Sequence, residues 1–161
     1  MFNGLPERGN QHWWIEGTCR DCGAKATFAT FNAGCPWMVK HNMKFWYLAT
    51  PYSKYPDGIE AAFHLAAETR GILLKAGVPC FSPIVHSHPV AMVCRIDPLD
   101  HSIWLPSEAP ILRLAHGLIM LRARSWEVSY GMAEEYKLFI AAGKPVVFMD
   151  PGVVPEGLTD S

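Results

Sequence analysis

Residues 117–149 read GLIMLRARSWEVSYGMAEEYKLFIAAGKPVVFM. Gly117–Leu121 (GLIML) is an uninterrupted apolar run, too short for a stable helix and without polar alternation, which is the pattern of a strand covered on both faces. A polar stretch, RARSWEVS, follows. Ser129 then stands where a helix over Tyr130–Ala142 needs its N-cap, Gly143 ends that helix, and Pro145–Met149 (PVVFM) repeats the doubly covered strand. Two such strands joined through a helix make a parallel crossover unit.

The same grammar recurs upstream. Phe45–Ala49 (FWYLA) predicts a buried strand, and the loop TPYSKYPDG follows it. From Ile59 the apolar residues Ala62, Phe63, Ala66, Ala67, Leu73 and Leu74 recur at helical spacing up to a stop at Gly77, and Val78–Ser82 predicts another strand. Residues 83–106, PIVHSHPVAMVCRIDPLDHSIWLP, are rich in proline and histidine and lack a clean period. They predict a functional loop with at most a short helix, ahead of a helix over Glu108–His116. The expected architecture is an α/β domain over residues 43–161. Its core is a small doubly wound, flavodoxin- or Rossmann-like parallel sheet of four to five strands with helices on both faces. Ligands of such a sheet bind beyond the carboxyl ends of the strands, here at the loops after Ala49, Ser82 and Leu121. Those loops hold no GxGxxG, GxxxxGK[ST] or GxSxG, which argues against a dinucleotide-binding enzyme, a P-loop NTPase and an α/β-hydrolase.

Composition narrows the function classes. The chain has 161 residues, 50% of them hydrophobic, enough to close one core. Fourteen Lys plus Arg against fifteen Asp plus Glu leave a net charge of −1, which offers no pull toward polymeric nucleic acid or an anionic membrane. No apolar run reaches the ~20 residues of a membrane span, and the start lacks the order of a signal peptide, so a soluble cytoplasmic protein is expected. Five cysteines, an odd number, suit a reducing compartment.

Three of those cysteines lie in residues 1–42, an N-terminal extension of different composition. Cys19-x2-Cys22 followed by Gly23, with Cys35 and His41 beyond, has the elements of a structural zinc knuckle or ribbon, with His12 competing for the fourth position. The alternative is a hydrophobic extension with reduced cysteines. His86 and His88 read as loop histidines, because two imidazoles without a third ligand make a poor metal site.

The helix after Ser129 carries two adjacent glutamates. If its apolar face is Met132, Ala133, Tyr136, Phe139, Ile140 and Gly143, Glu134 falls almost opposite and Glu135 lies on the flank, roughly 90° away, near the sheet edge. There the helix dipole is expected to keep Glu135 ionised.

Three blocks in order carry a resemblance: Tyr47 in WYLATPYS, Asp100 with Trp104 in DHSIW, and Ser129, Gly131 and Glu135 as S-x-G-x-x-x-E before AAGKPVVFM. Over residues 44–150 the chain resembles the nucleoside 2-deoxyribosyltransferase-like proteins, which include the deoxynucleoside monophosphate N-glycosidases, and within them a small phage and bacterial branch. The resemblance implies cleavage of the N-glycosidic bond of a nucleoside or nucleoside 5'-monophosphate, by hydrolysis or by transfer to another base, through a covalent glycosyl-glutamate. Glu135 would be the nucleophile and Tyr47 would hold it. Asp100, or failing that Asp97, would protonate the leaving base. Ser129, Gly131 and the amides at the helix start would bind the sugar 5' substituent.

No catalytic cofactor is implied. A homodimer or larger even assembly is expected, since that family completes its sites from a neighbouring subunit. Family transferases acting on free nucleosides tend to be acidic at the position of Ser129, which tilts the reading toward a phosphorylated substrate and hydrolysis. The glycine-rich loop of the monophosphate hydrolases is replaced here by TPYSKYPDG, so Ser53 or Lys54 would meet the phosphate. Trp126 could stack on the base or pack in the core. The competing reading is a non-catalytic nucleotide sensor, or a zinc-bearing interaction module, on the same fold.

Overall fold

The computed structural model describes residues 14–15, 18–19 and 44–158. The chain divides into two units, Met1–Met43 and Lys44–Ser161. In the first, β1 (Trp14–Ile15) pairs antiparallel with β2 (Thr18–Cys19). Of the expected zinc ligands, Cys22, Cys35, His41 and the competing His12 lie outside the described residues, and Cys19 is described only as part of β2. Among the described residues no group of three or more His, Cys, Asp or Glu gathers as a metal site.

The second unit runs β3 (Trp46–Ala49), α1 (Gly58–Lys75), β4 (Cys80–Phe81), α2 (Pro83–Cys94), α3 (His101–Leu114), β5 (Gly117–Leu121), a 3-10 turn (Trp126–Val128), α4 (Tyr130–Ala141) and β6 (Val146–Met149). The four strands form one all-parallel sheet in the order β4-β3-β5-β6. Every residue of β3 and β5 is buried, and the two faces separate by alternation. Trp46, Leu48, Ile119 and Leu121 enter a core cluster with Leu73 of α1, while Tyr47, Ala49, Leu118 and Met120 enter another with Met132 and Phe139 of α4. Burial on both faces is why these strands read as continuous apolar runs rather than as alternating ones. Gly117 opens β5 where only hydrogen fits: a Cβ there would lie 2.7 Å from the Pro145 carbonyl oxygen and against the Trp46 ring. Among the described residues no helix is long and apolar enough to cross a membrane.

The main departure from the sequence reading is in residues 83–106, of which 83–94 and 101–106 are helical. Ser82 caps α2, its hydroxyl accepting from the Val85 amide, and Pro83 occupies the first turn, where its missing N–H costs nothing. Pro89 lies inside α2, and Pro106 and Pro110 inside α3. The helix expected to begin at Glu108 begins seven residues earlier, at His101, capped by the Asp100 carboxylate, which accepts from the Ser102 amide. Lys144 closes its other end by donating to the carbonyls of Arg113 and Ala115 at 2.5 and 2.7 Å.

Candidate functional site

The strand order reverses direction between β3 and β5, and that is where an open parallel sheet leaves a crevice at its carboxyl edge. A cleft of about 90 Å³ opens there. Its floor and one wall come from Thr50, Tyr52 and Ser53 after β3 and from Ser129, Gly131, Met132 and Glu135 at the start of α4. The facing wall is Ile84 and Ser87 of α2 with Trp104, Leu105 and Glu108 of α3. A larger space of about 330 Å³ between α4 and β6 is lined by Met120, Trp126, Tyr136 and Phe148. Its charged lining residues, Glu127 and Lys137, are exposed, whereas the smaller cleft gathers half-buried carboxyl and buried hydroxyl groups and is the candidate site.

The centre of the cleft is a hydrogen bond between distant parts of the chain. Tyr47, 1% exposed on β3, donates its hydroxyl to Glu135 Oε1 at 3.1 Å. The phenol rests between Phe81 and Phe139, with ring centroids at 6.0 and 5.9 Å. Burial and the neighbouring carboxylates hold it far above its ordinary pKa, so it remains a donor. Glu135 is reached because α4 turns Met132, Glu135 and Phe139 inward, at i, i+3 and i+7. The expected helical phase is therefore corrected: Tyr136 and Ile140 are exposed, and Glu135, half-buried, lies between the buried Met132 and Phe139 rather than on the flank. Glu134 is, as the phase predicts, a surface residue, accepting from Lys137 Nζ at 2.7 Å.

The expectation that the dipole keeps Glu135 ionised is also corrected. Burial pushes its carboxyl up to about 8, with the charge of Glu108 adding and the Tyr47 donor opposing. Glu108 is the second carboxylate of the cleft, and the sequence reading did not single it out. Burial raises it to about 7, opposed by a hydrogen bond with Ser87. The signal for it was available: Glu108 is the only acidic residue between His101 and His116, four residues from Trp104 and flanked by Leu105, Ile111 and Leu112.

Two further hydroxyl side chains line the cleft. Thr50, 5% exposed, carries a buried hydroxyl that makes no hydrogen bond among the described residues. Ser129 occupies the N-cap of α4, but its side chain makes no capping bond. Beside them a Cβ on Gly131 would meet nothing within 4 Å, so this glycine leaves open space in the cleft rather than serving a packing need.

Residues 44–151 match the family described as a domain of unknown function, DUF1937. The chain belongs to the DUF1937 family. No curated protein matches it. The matched span of this DUF1937 domain contains the whole lining of the cleft.

Of the expected site residues, Tyr47, Glu135, Ser129, Gly131 and Ser53 gather at the cleft. Three do not. Asp100 is the N-cap of α3, bonded to the amide and hydroxyl of Ser102, and those bonds lower its pKa, the opposite of what a proton donor needs. Asp97 is exposed and accepts from the Leu99 amide in the turn before α3. Trp126 packs edge-on against Phe148, with centroids 5.9 Å apart, and lines the apolar space outside the cleft. The histidines of HSHP are also misread as loop residues: both lie within α2, and His88 is buried.

Proposed function

We propose that this DUF1937 domain cleaves the N-glycosidic bond of a nucleoside 5'-monophosphate or nucleoside by double displacement. Glu135 is the nucleophile and Glu108, in place of Asp100, is the acid. The observation that carries the reading is the Tyr47–Glu135 hydrogen bond beside a second carboxyl with a raised pKa. Two carboxyl groups in one apolar cleft cannot readily both ionise, and the pair titrates as a unit that retains a proton near neutral pH.

Glu135 is the more strongly raised of the two, burial outweighing its Tyr47 donor. Catalysis uses the other order, Glu135 ionised and Glu108 protonated, and the hydrogen bond at Glu135 works toward it. Tyr47 donates to Glu135 and so favours its carboxylate.

In the first step a Glu135 oxygen bonds to the anomeric carbon while the C–N bond breaks, and Glu108 gives its proton to the departing base. In the second, the Glu108 carboxylate takes a proton from water as the water oxygen displaces Glu135, and the starting state returns. The amides at the start of α4, with Ser129 and the unpartnered Thr50 hydroxyl, suit the sugar 5' substituent. The aliphatic and indole groups of Ile84, Trp104 and Leu105 suit a planar base.

The test is chromatography of free base after incubation with a panel of nucleoside 5'-monophosphates and nucleosides, with and without a second base as acceptor. Release or exchange of base, lost in Glu135→Ala, is expected. Saturable binding without either product would instead establish the nucleotide-sensor reading.

A further inference from the structure

Behind the cleft wall three polar side chains form a chain that the proposed reaction does not use. The Tyr52 hydroxyl lies 2.7 Å from His88 Nδ1, and His88 Nε2 lies 3.0 Å from Glu60 Oε2. His88 is 4% exposed, stacked on Phe63 with centroids 4.6 Å apart and planes at 14°, and set edge-on to Tyr52. Its ring cannot turn without losing both bonds and the stack. Glu60, two-thirds exposed on α1, also faces His64 at 3.4 Å.

The order of donors follows from the chemistry of each atom. A carboxylate only accepts, so the proton on the His88 ring sits at Nε2 and is donated to Glu60. With the ring neutral, Nδ1 is then a bare acceptor, and the Tyr52 hydroxyl must donate to it. Burial and the Glu60 charge push the Tyr52 phenol up to about 12, so it has that proton to give throughout the neutral range. Having given its single proton to His88, Tyr52 offers the cleft only oxygen lone pairs.

We propose that Tyr52 is a specificity-determining residue, fixed by His88 and Glu60 as a hydrogen-bond acceptor, and that it selects substrates whose base carries an exocyclic amino group over those with an oxo group at the same position. This rests on the N-glycosidase reading for the nature of the ligand. The base end is assigned to Tyr52 because its hydroxyl reaches His88 of α2, on the side lined by Ile84, Trp104 and Leu105, whereas the groups assigned to the sugar 5' substituent are Thr50 and the start of α4. An oxo group opposite Tyr52 sets two acceptors against each other; an amino group fills the open lone pair.

The test compares matched nucleoside 5'-monophosphates, adenine with hypoxanthine and cytosine with uracil, by calorimetric binding to the Glu135→Gln protein at pH 8. The amino member of at least one pair should bind about 10-fold more tightly, as expected when a mismatched ligand leaves a buried polar group unpaired. In Glu135→Gln/Tyr52→Phe that preference should collapse through loss of the amino ligand alone, with the oxo ligand unchanged. Equal binding within both pairs, an oxo preference, or a Tyr52→Phe effect that weakens both members alike would overturn the proposal, since a merely structural tyrosine would do the last. Nitrogen-15 NMR of the His88 ring in the wild-type chain reads the donor order without any ligand. A neutral Nε2–H ring is expected, and an Nδ1–H ring refutes the proposal even if no nucleotide binds and the N-glycosidase reading itself fails.

Discussion

Glu135 and Glu134 are neighbours in sequence with opposite fates, and their contrast is the sharpest test at the scale of single residues. Glu135→Ala should abolish base release, while Glu134→Ala, which loses only a surface contact with Lys137, should retain most of it. Equal activity of the two variants would remove the nucleophile assignment. Glu108→Gln should slow turnover by about 10²- to 10⁴-fold, the usual contribution of a positioned acid, and Asp100→Asn should leave turnover within a few-fold of wild type. A second consequence concerns stability. Because burial lifts Glu135 to about 8 and Glu108 to about 7, the folded state holds protons that the unfolded chain has already released. The contribution is favourable at acidic pH, is lost as pH rises from the ordinary carboxylate range through these values, and leaves the folded state paying for two buried charges above pH 8. Glu135→Gln, which still accepts from Tyr47, should therefore melt higher than wild type at pH 9, with a gain that shrinks toward pH 5. Calorimetric scans across that range would show it, and a gain independent of pH would contradict the burial argument.

Elements differ in how far they could be read in advance. β3 and β5 were legible because strands covered on both faces are short unbroken apolar runs, β6 because it is such a run although half-buried at the sheet edge, and α1 and α4 because a glycine, Gly77 or Gly143, follows each. α2 and α3 were not. Their prolines read as breaks, yet Pro83 sits where no amide is needed, and α3 holds Pro106 and Pro110 in a helix that has no fully buried residue. The site was legible where its members share one segment, as Ser129, Gly131 and Glu135 do. Tyr52, His88 and Glu60 come from three separate segments, so only the fold brings them together. The tight start of β5 yields an element-level prediction. Gly117→Ala forces a methyl group against the Pro145 carbonyl and the Trp46 ring, which should cost about 1–3 kcal/mol, the range for overpacking a filled core. Denaturant titration would measure it, and an unchanged midpoint would mean that the β5 entry gives way more easily than its contacts imply.

At the scale of the whole molecule, α3 forms one wall of the cleft while exposing Ile103, Leu105 and Leu114, and α2 exposes Met92 and Val93. Helices owe most of their stability in proteins to packing of an apolar face. A second copy of the chain would supply that packing through one self-complementary patch. A homodimer or larger even assembly is therefore predicted, and light scattering that gives a monomer at active micromolar concentration would refute it. For the N-terminal unit the prediction is one structural zinc per chain, held by Cys19, Cys22, Cys35 and a histidine. Elemental analysis of protein purified without chelator decides it. The sparse anchoring of α3 also bears on engineering. No residue of α3 is fully buried, so His101, Trp104 and Leu105 can be randomised together with little penalty to folding. Such a library would vary which molecules enter the cleft while the Tyr47–Glu135 pair, held by β3 and α4, stays in place beneath it.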